Sequence, residues 1–211
     1  MTDGDPATDS VADPATDSVA DPAAGSVANP APRAVARPTV TVRTRTAADA
    51  DALVTILAEV HELDQYPMMP EHISRDWLFD PAFAAAWVAV AGGTVVGHIA
   101  VQAGYGGPEF EQALQRPASE TLGITRFFVA PAGRSSGAAS ALLDAVDEYA
   151  ARQHSGQRPD ERGAALALDV LEVNEAAMRL YERRGWRRIG SHATNWFGPD
   201  GPHPTVFLYV K

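Results

Sequence analysis

Phe127-Phe-Val-Ala-Pro-Ala-Gly-Arg-Ser-Ser-Gly-Ala-Ala139 is the stretch on which the reading of this chain turns. An apolar run over residues 122–129 stops at Pro131 and Gly133, and beyond Gly137 the residues Leu142, Leu143, Val146 and Tyr149 fall on one helical stripe. The pattern predicts a buried strand, a short loop and a helix opening at Gly137. The first N–H groups of a helix have no intrahelical partner, and with the helix dipole they suit an anion such as a pyrophosphate. Gly137 admits a phosphate with no Cβ in the way, Ala138 and Ala139 keep the surface low, and Arg134 can add a charged contact. An ordinary strand-to-helix turn that needs a glycine fits the same residues.

Toward the N-terminus, residues 39–45 alternate and are β-branched, which reads as a strand. Thr46-Ala-Ala-Asp49 resembles a capping box, and Leu53, Ile56, Leu57 and Val60 then recur at helical spacing. A polar, proline-broken stretch covers residues 62–81. Residues 87–91, Gly92-Gly93 and residues 94–101 predict an antiparallel hairpin. Residues 103–119 read as a long loop or a short helix. Toward the C-terminus, residues 165–171 read as a strand, and Asn174 opens a helix that carries Ala177, Leu180 and Tyr181 and ends at Gly185. Residues 186–191 and 205–210 make a last strand pair. The expected class is α/β (α+β): helices interleaved with a mainly antiparallel sheet, in which one β-α-β unit forces a parallel neighbour pair.

The first 38 residues differ in texture. Asp5-Pro-Ala-Thr-Asp-Ser-Val-Ala12 recurs unchanged at residues 13–20 and decays through 21–28 and 29–36. Side chains this small bury too little area to offset about 1–2 kcal/mol of backbone entropy per residue, so residues 1–38 are expected to be a disordered tail and 39–211 the folded domain. The tail holds six Asp and two Arg, which leaves −6 of the total −10 charge on the remainder.

That acidity opposes a nucleic-acid partner and an anionic membrane surface. The longest apolar run, residues 82–91, is far short of the roughly 20 residues of a membrane span. The acidic N-terminus is unlike a secretory signal. Cysteine is absent, which excludes disulfides, thiolate metal sites and an acyl-cysteine intermediate, and is compatible with a cytoplasmic address. The one lysine is Lys211, so a Gly-Lys-Ser/Thr nucleotide loop is excluded.

Arg134-Ser-Ser-Gly137-Ala-Ala139, preceded by Val129-Ala-Pro131, resembles the acetyl-CoA signature of the GNAT superfamily of N-acetyltransferases, Arg/Gln-x-x-Gly-x-Gly/Ala. Asn174-Glu-Ala-Ala177-Met-Arg-Leu180-Tyr181-Glu-Arg-Arg-Gly185-Trp186 is similar to the family's Asn-x-x-Ala-x-x-Leu-Tyr-x-x-x-Gly-Phe, with Trp for Phe. The resemblance spans residues 39–211. It departs at Ser135 and Ala139, where many members have glycine. It implies a splayed parallel strand pair at the acetyl-CoA site and direct attack of an amine on the thioester, with no metal. The implied cofactor contacts are the main chain of Phe127, Phe128 and Val129, the loop Arg134, Ser135, Ser136, Gly137, Ala138 and Ala139, and Asn174, which is equally explained as its own helix's N-cap. Tyr181 is implied as the residue that protonates the departing thiolate or holds the sulfur.

The base stays open among Glu62, His98, Glu120 and water, because Arg126 stands where many members place a glutamate. His61-Glu62-Leu-Asp64 lacks metal-ligand spacing and reads as a solvated helix end. Tyr66-Pro67 and Trp196 are candidates to line an acceptor pocket. The acceptor is expected to be a small-molecule or peptide amine, the protein a monomer or homodimer, and the alternative function a non-catalytic acyl-CoA-binding module.

Overall fold

The computed structural model describes residues 39–153 and 163–211, so the expectation of a disordered tail over 1–38 lies outside the described residues. Strand β1 (Val40–Thr44) leads through a 3-10 turn into helix α1 (Ala50–Asp64). The turn starts at Thr46, whose N–H donates to Asp49 Oδ2 at 2.7 Å, and Arg43 grips both Asp49 oxygens at 2.8 and 2.6 Å. The Arg43 guanidinium holds the Asp49 carboxyl well below the usual range, so strand and helix are tied by an ion pair at their junction. Leu53, Ile56, Leu57 and Val60 are all buried, each burial contributing about 1.5–3 kcal/mol.

Helix α2 (Arg75–Leu78) follows a cis Tyr66–Pro67 peptide and a 3-10 turn. Strands β2 (Phe83–Ala91) and β3 (Thr94–Ala103) form the expected hairpin, and helix α3 (Pro108–Leu114) occupies the segment read as a loop or short helix. Then come β4 (Thr121–Val129), α4 (Ala138–Arg152), β5 (Ala165–Leu171), α5 (Glu175–Arg183), β6 (Arg187–Ala193) and β7 (Thr205–Val210). The described strands make one seven-stranded sheet in the order β1-β2-β3-β4-β5-β7-β6, antiparallel except at β4–β5. The mixed, mainly antiparallel α/β class expected from the sequence is therefore the class observed.

Leu122, Ile124 and Phe128 would share one face by alternation, but an extra residue in β4 at Arg126 shifts the register and divides the strand between the two faces. Leu122 and Ile124 join α4, α5 and the sheet in the main core with Leu142, Leu143, Val146 and Tyr181. Phe128 joins α1 and α2 in a second core, and α3 covers Ala167 and Leu208 in a third.

Candidate active site

β4 and β5 begin as parallel neighbours and then part. The last register pair is Gly123↔Ala167, although β4 runs on to Val129 and β5 to Leu171. Near the start of the gap, the ladder between β3 and β4 skips a residue, and Arg126 sits at φ 51, in the left-handed region. Ala130 donates to the Val96 carbonyl at 2.8 Å, so antiparallel alternation turns the main chain of Phe128 toward β3 and that of Phe127 and Val129 toward the gap. The Phe128 ring is buried in the α1 core. Of the three residues expected to pair with a pantetheine, Phe127 and Val129 thus offer free edges and Phe128 does not.

At the far end of the gap lies the loop into α4. Gly137 is the N-cap at φ 94, a conformation that L side chains rarely adopt, and the position of its missing Cβ meets nothing within 4 Å. Among the described residues, the N–H groups of Gly137, Ala139 and Ser140 donate to no intrachain partner. The expectation of an open helix start is met there, with Ser140 added.

The other residues expected to contact the cofactor are held in different ways. Ala138, the first residue of α4, is buried in the main core, and its N–H donates to Ser136 Oγ at 3.3 Å, so neither its methyl nor its amide faces outward. Ser136 Oγ donates in turn to the Gly133 carbonyl at 2.6 Å, which makes it a brace of the loop. Arg134 is exposed and pairs with Asp64 at the end of α1. Ser135 takes φ 59, the conformation for which a glycine would be the unstrained choice. Asn174 occupies the N-cap position of α5, yet its side chain makes no capping hydrogen bond and is exposed.

Tyr181 approaches the gap from the α4/α5 face. Its ring is buried against Phe127, Trp186 and Tyr209, with centroids 6.3, 5.7 and 6.0 Å away. Burial pushes its phenol up, and the Tyr66 phenol and Asp169 carboxylate push the same way. Those two groups belong to the opposite face, so their influence crosses the gap.

The opposite face holds residues that the sequence reading passed over. Asp169 of β5 stands two residues beyond the last pair, level with Thr125 of β4. Its Oδ1 accepts from the Tyr105 hydroxyl at 2.8 Å. The Tyr105 ring lies directly over Gly123: a Cβ there would fall 2.1 Å from Tyr105 Cγ, so only glycine lets the tyrosine cross β4 to reach Asp169. Burial and the Asp169 carboxylate both push the Tyr105 phenol up. Tyr66 flanks the same space, packed edge-on to Trp77 at 6.1 Å, and its phenol feels both Arg126 and Asp169. A lone charge in the apolar run Ala165-Leu-Ala-Leu-Asp-Val-Leu171 was the available signal.

The three candidate bases fare badly by position. His98 is fully buried: Nδ1 donates to the Arg126 carbonyl at 2.8 Å, and Nε2 accepts from Arg45 Nη1 at 3.3 Å. Burial brings its pKa down to about 4, so it is a neutral core histidine with both nitrogens engaged. Glu62 is exposed on the last turn of α1. Glu120 precedes the paired end of β4, about 17 Å along the strand from Thr125 at roughly 3.3 Å per residue. His61 Nδ1 bonds to the Pro67 carbonyl at 2.7 Å, and Asp64 is taken by Arg134. Trp196 is 43% exposed on the β6–β7 connection.

A mainly antiparallel sheet opened at a single parallel pair, with a bare helix start at one end of the opening, is the frame of a known class of acyltransferase. Residues 50–186 match the model of the Acetyltransferase (GNAT) family, and the chain belongs to that family. Solved structures share its fold. NAA60 of Arabidopsis thaliana in complex with a bisubstrate analogue aligns at TM-score 0.60 and 20% identity over 82% of this chain and 97% of its own. A GCN5-related N-acetyltransferase from Kribbella flavida aligns at 0.59 and 22%, over 82% and 97%. The ribosomal-protein-S18-alanine N-acetyltransferase of Escherichia coli aligns at 0.57 and 16%, over 82% and 92%. No curated protein sequence matches this chain.

Proposed function

We propose that this protein transfers the acetyl group of acetyl-CoA to a primary amine by direct attack, with Asp169 as base and Tyr181 as acid. The observation that carries the reading is the convergence of these two residues on one gap from opposite faces of the sheet. Acetyl-CoA is supported as the donor by family membership and by NAA60, which was solved with acetyl-CoA.

In this reading the pyrophosphate rests on the N–H groups of Gly137, Ala139 and Ser140. The pantetheine lies along Phe127 and Val129 as a neighbouring strand would. The acceptor enters from the face of Tyr66, Tyr105 and Asp169. An ammonium must lose two protons on its way to an amide. Asp169 takes one and passes it to water, and the lone pair then attacks the thioester carbon. The C–N bond forms, the C–S bond breaks, and Tyr181 supplies the proton that turns the thiolate into CoA thiol. The second amine proton replaces the one Tyr181 gave up. A buried phenol resists ionisation, so Tyr181 enters the cycle protonated.

The test is CoA-thiol release from acetyl-CoA across a broad amine library, beside a calorimetric titration with acetyl-CoA. Transfer to at least one amine, lost in Asp169→Asn, is the expected result. Tight acetyl-CoA binding with no transfer to any amine would leave only an acyl-CoA-binding module.

A further inference from the structure

Arg126 is a partly buried cation that the mechanism above leaves idle. Arg43, Arg134, Arg179 and Arg184 each pair with a carboxylate. Arg126 does not. Its Nε donates to the Trp77 carbonyl at 3.2 Å, its Nη1 donates to Thr125 Oγ1 at 2.9 Å, and the guanidinium lies 3.9 Å over the Trp77 ring. Among the described residues, Nη2 has no partner, and no carboxylate lies within ion-pair distance. Asp80, whose charge it feels, spends Oδ1 on the Ala82 N–H. The group is only partly exposed, and burial pulls its pKa down against the pull of Tyr66 and Asp80.

Thr125, which Arg126 holds, is level with Asp169 across the gap. Tyr66 links the two: its phenol feels both the Arg126 cation and the Asp169 anion, and no salt bridge joins them among the described residues. Paired strands lie about 4.8 Å apart, and β4 and β5 are no longer paired at this level.

We infer that the acceptor is a small zwitterion, an amino-acid-like molecule whose amine meets Asp169 and whose carboxylate meets the outer edge of Arg126. Trp77 and Tyr66 supply the apolar wall between the two charges. A planar fork with a free edge suits a carboxylate, and a simple polyamine would place a second cation against it. This inference rests on the acetyltransferase reading and adds the acceptor class.

The experiment uses the full chain with acetyl-CoA and matched acceptor pairs: glycine, β-alanine and 4-aminobutanoate as free acids and as carboxamides, with a tripeptide amide beside them. At least one free acid is expected to exceed its amide by about tenfold or more in kcat/KM, mainly through KM. Arg126→Gln should bring that ratio near one, and Arg126→Lys should restore part of it. Equal rates for acid and amide, or a peptide amide outperforming every acid, overturn the inference while the transferase reading stands. Acetyl-CoA binding with no CoA release from any acceptor overturns both. If Arg126→Gln does not fold, the wild-type acid-to-amide ratio decides alone.

Discussion

Tyr181 carries one hydroxyl that its neighbours leave unbonded among the described residues, and its ring carries the packing. Tyr181→Phe should therefore fold normally and bind acetyl-CoA with little change, while kcat falls about 100-fold, the low end for general acid catalysis. A variant turning over at the wild-type rate would reduce Tyr181 to a core aromatic. Asp169→Asn should lower kcat/KM by about 100-fold and flatten the acid limb of the pH–rate profile, since the amide cannot take a proton. An unchanged profile would hand the base role to water. His98 tests the reverse case. Its ordinary value is 6.5 and its folded value about 4, so between those values the unfolded chain binds a proton that the folded chain refuses. Its contribution, about 3 kcal/mol at most, is complete above 6.5 and fades as pH falls toward 4. Ring resonances of His98 should stay at neutral-imidazole positions between about pH 5.5 and 7.5; a midpoint above 6 would contradict the burial argument. The sequence offered Tyr181 as a candidate because its motif is contiguous. It left the proposed base Asp169 unmarked beyond a lone charge in an apolar run, because its partner Tyr105 lies 64 positions away and is admitted by a glycine on β4.

The loop between β4 and α4 shows how an element makes a site from backbone. Placing a β-branched residue at Gly137 would strain φ 94 as well as block a phosphate, and the two effects could not be separated. Gly137→Asn separates them, because asparagine tolerates the left-handed region and still fills the space. Acetyl-CoA affinity should weaken about tenfold or more, roughly 1.4 kcal/mol, with a melting temperature close to wild type. Unchanged affinity by calorimetry would remove the phosphate site from this loop. Most elements were readable from periodicity, and the strand-loop-helix here was read to within a residue. The miss is instructive at β2, which begins at Phe83 and not at 87. The run Ala84-Ala85-Ala86 has no strand preference of its own; pairing with Val101 and Ala100 of β3 extends it. Likewise α1 continues to Asp64, past the point where the sequence turns polar, because its last turn is outside the core and needs no apolar face.

At the scale of the molecule, every buried apolar cluster among the described residues is built from residues 50–210, with partly buried support from Val40 and Val42. Removing residues 1–38 should thus leave the melting temperature and acetyl-CoA affinity unchanged; a fall of several degrees would mean that the repeat packs on the domain. The sheet order puts β7 between β5 and β6, so Asp169 is held in register by Leu208 on the last strand described. During synthesis on a ribosome, chain leaves the tunnel from the N-terminal side, and the loop into α4 is exposed long before β7 emerges. Until β7 slides in beside it, β5 lacks its antiparallel neighbour and the carboxylate across the gap has no fixed place. Under the proposed mechanism, acetyl transfer would then report that β7 has docked beside β5.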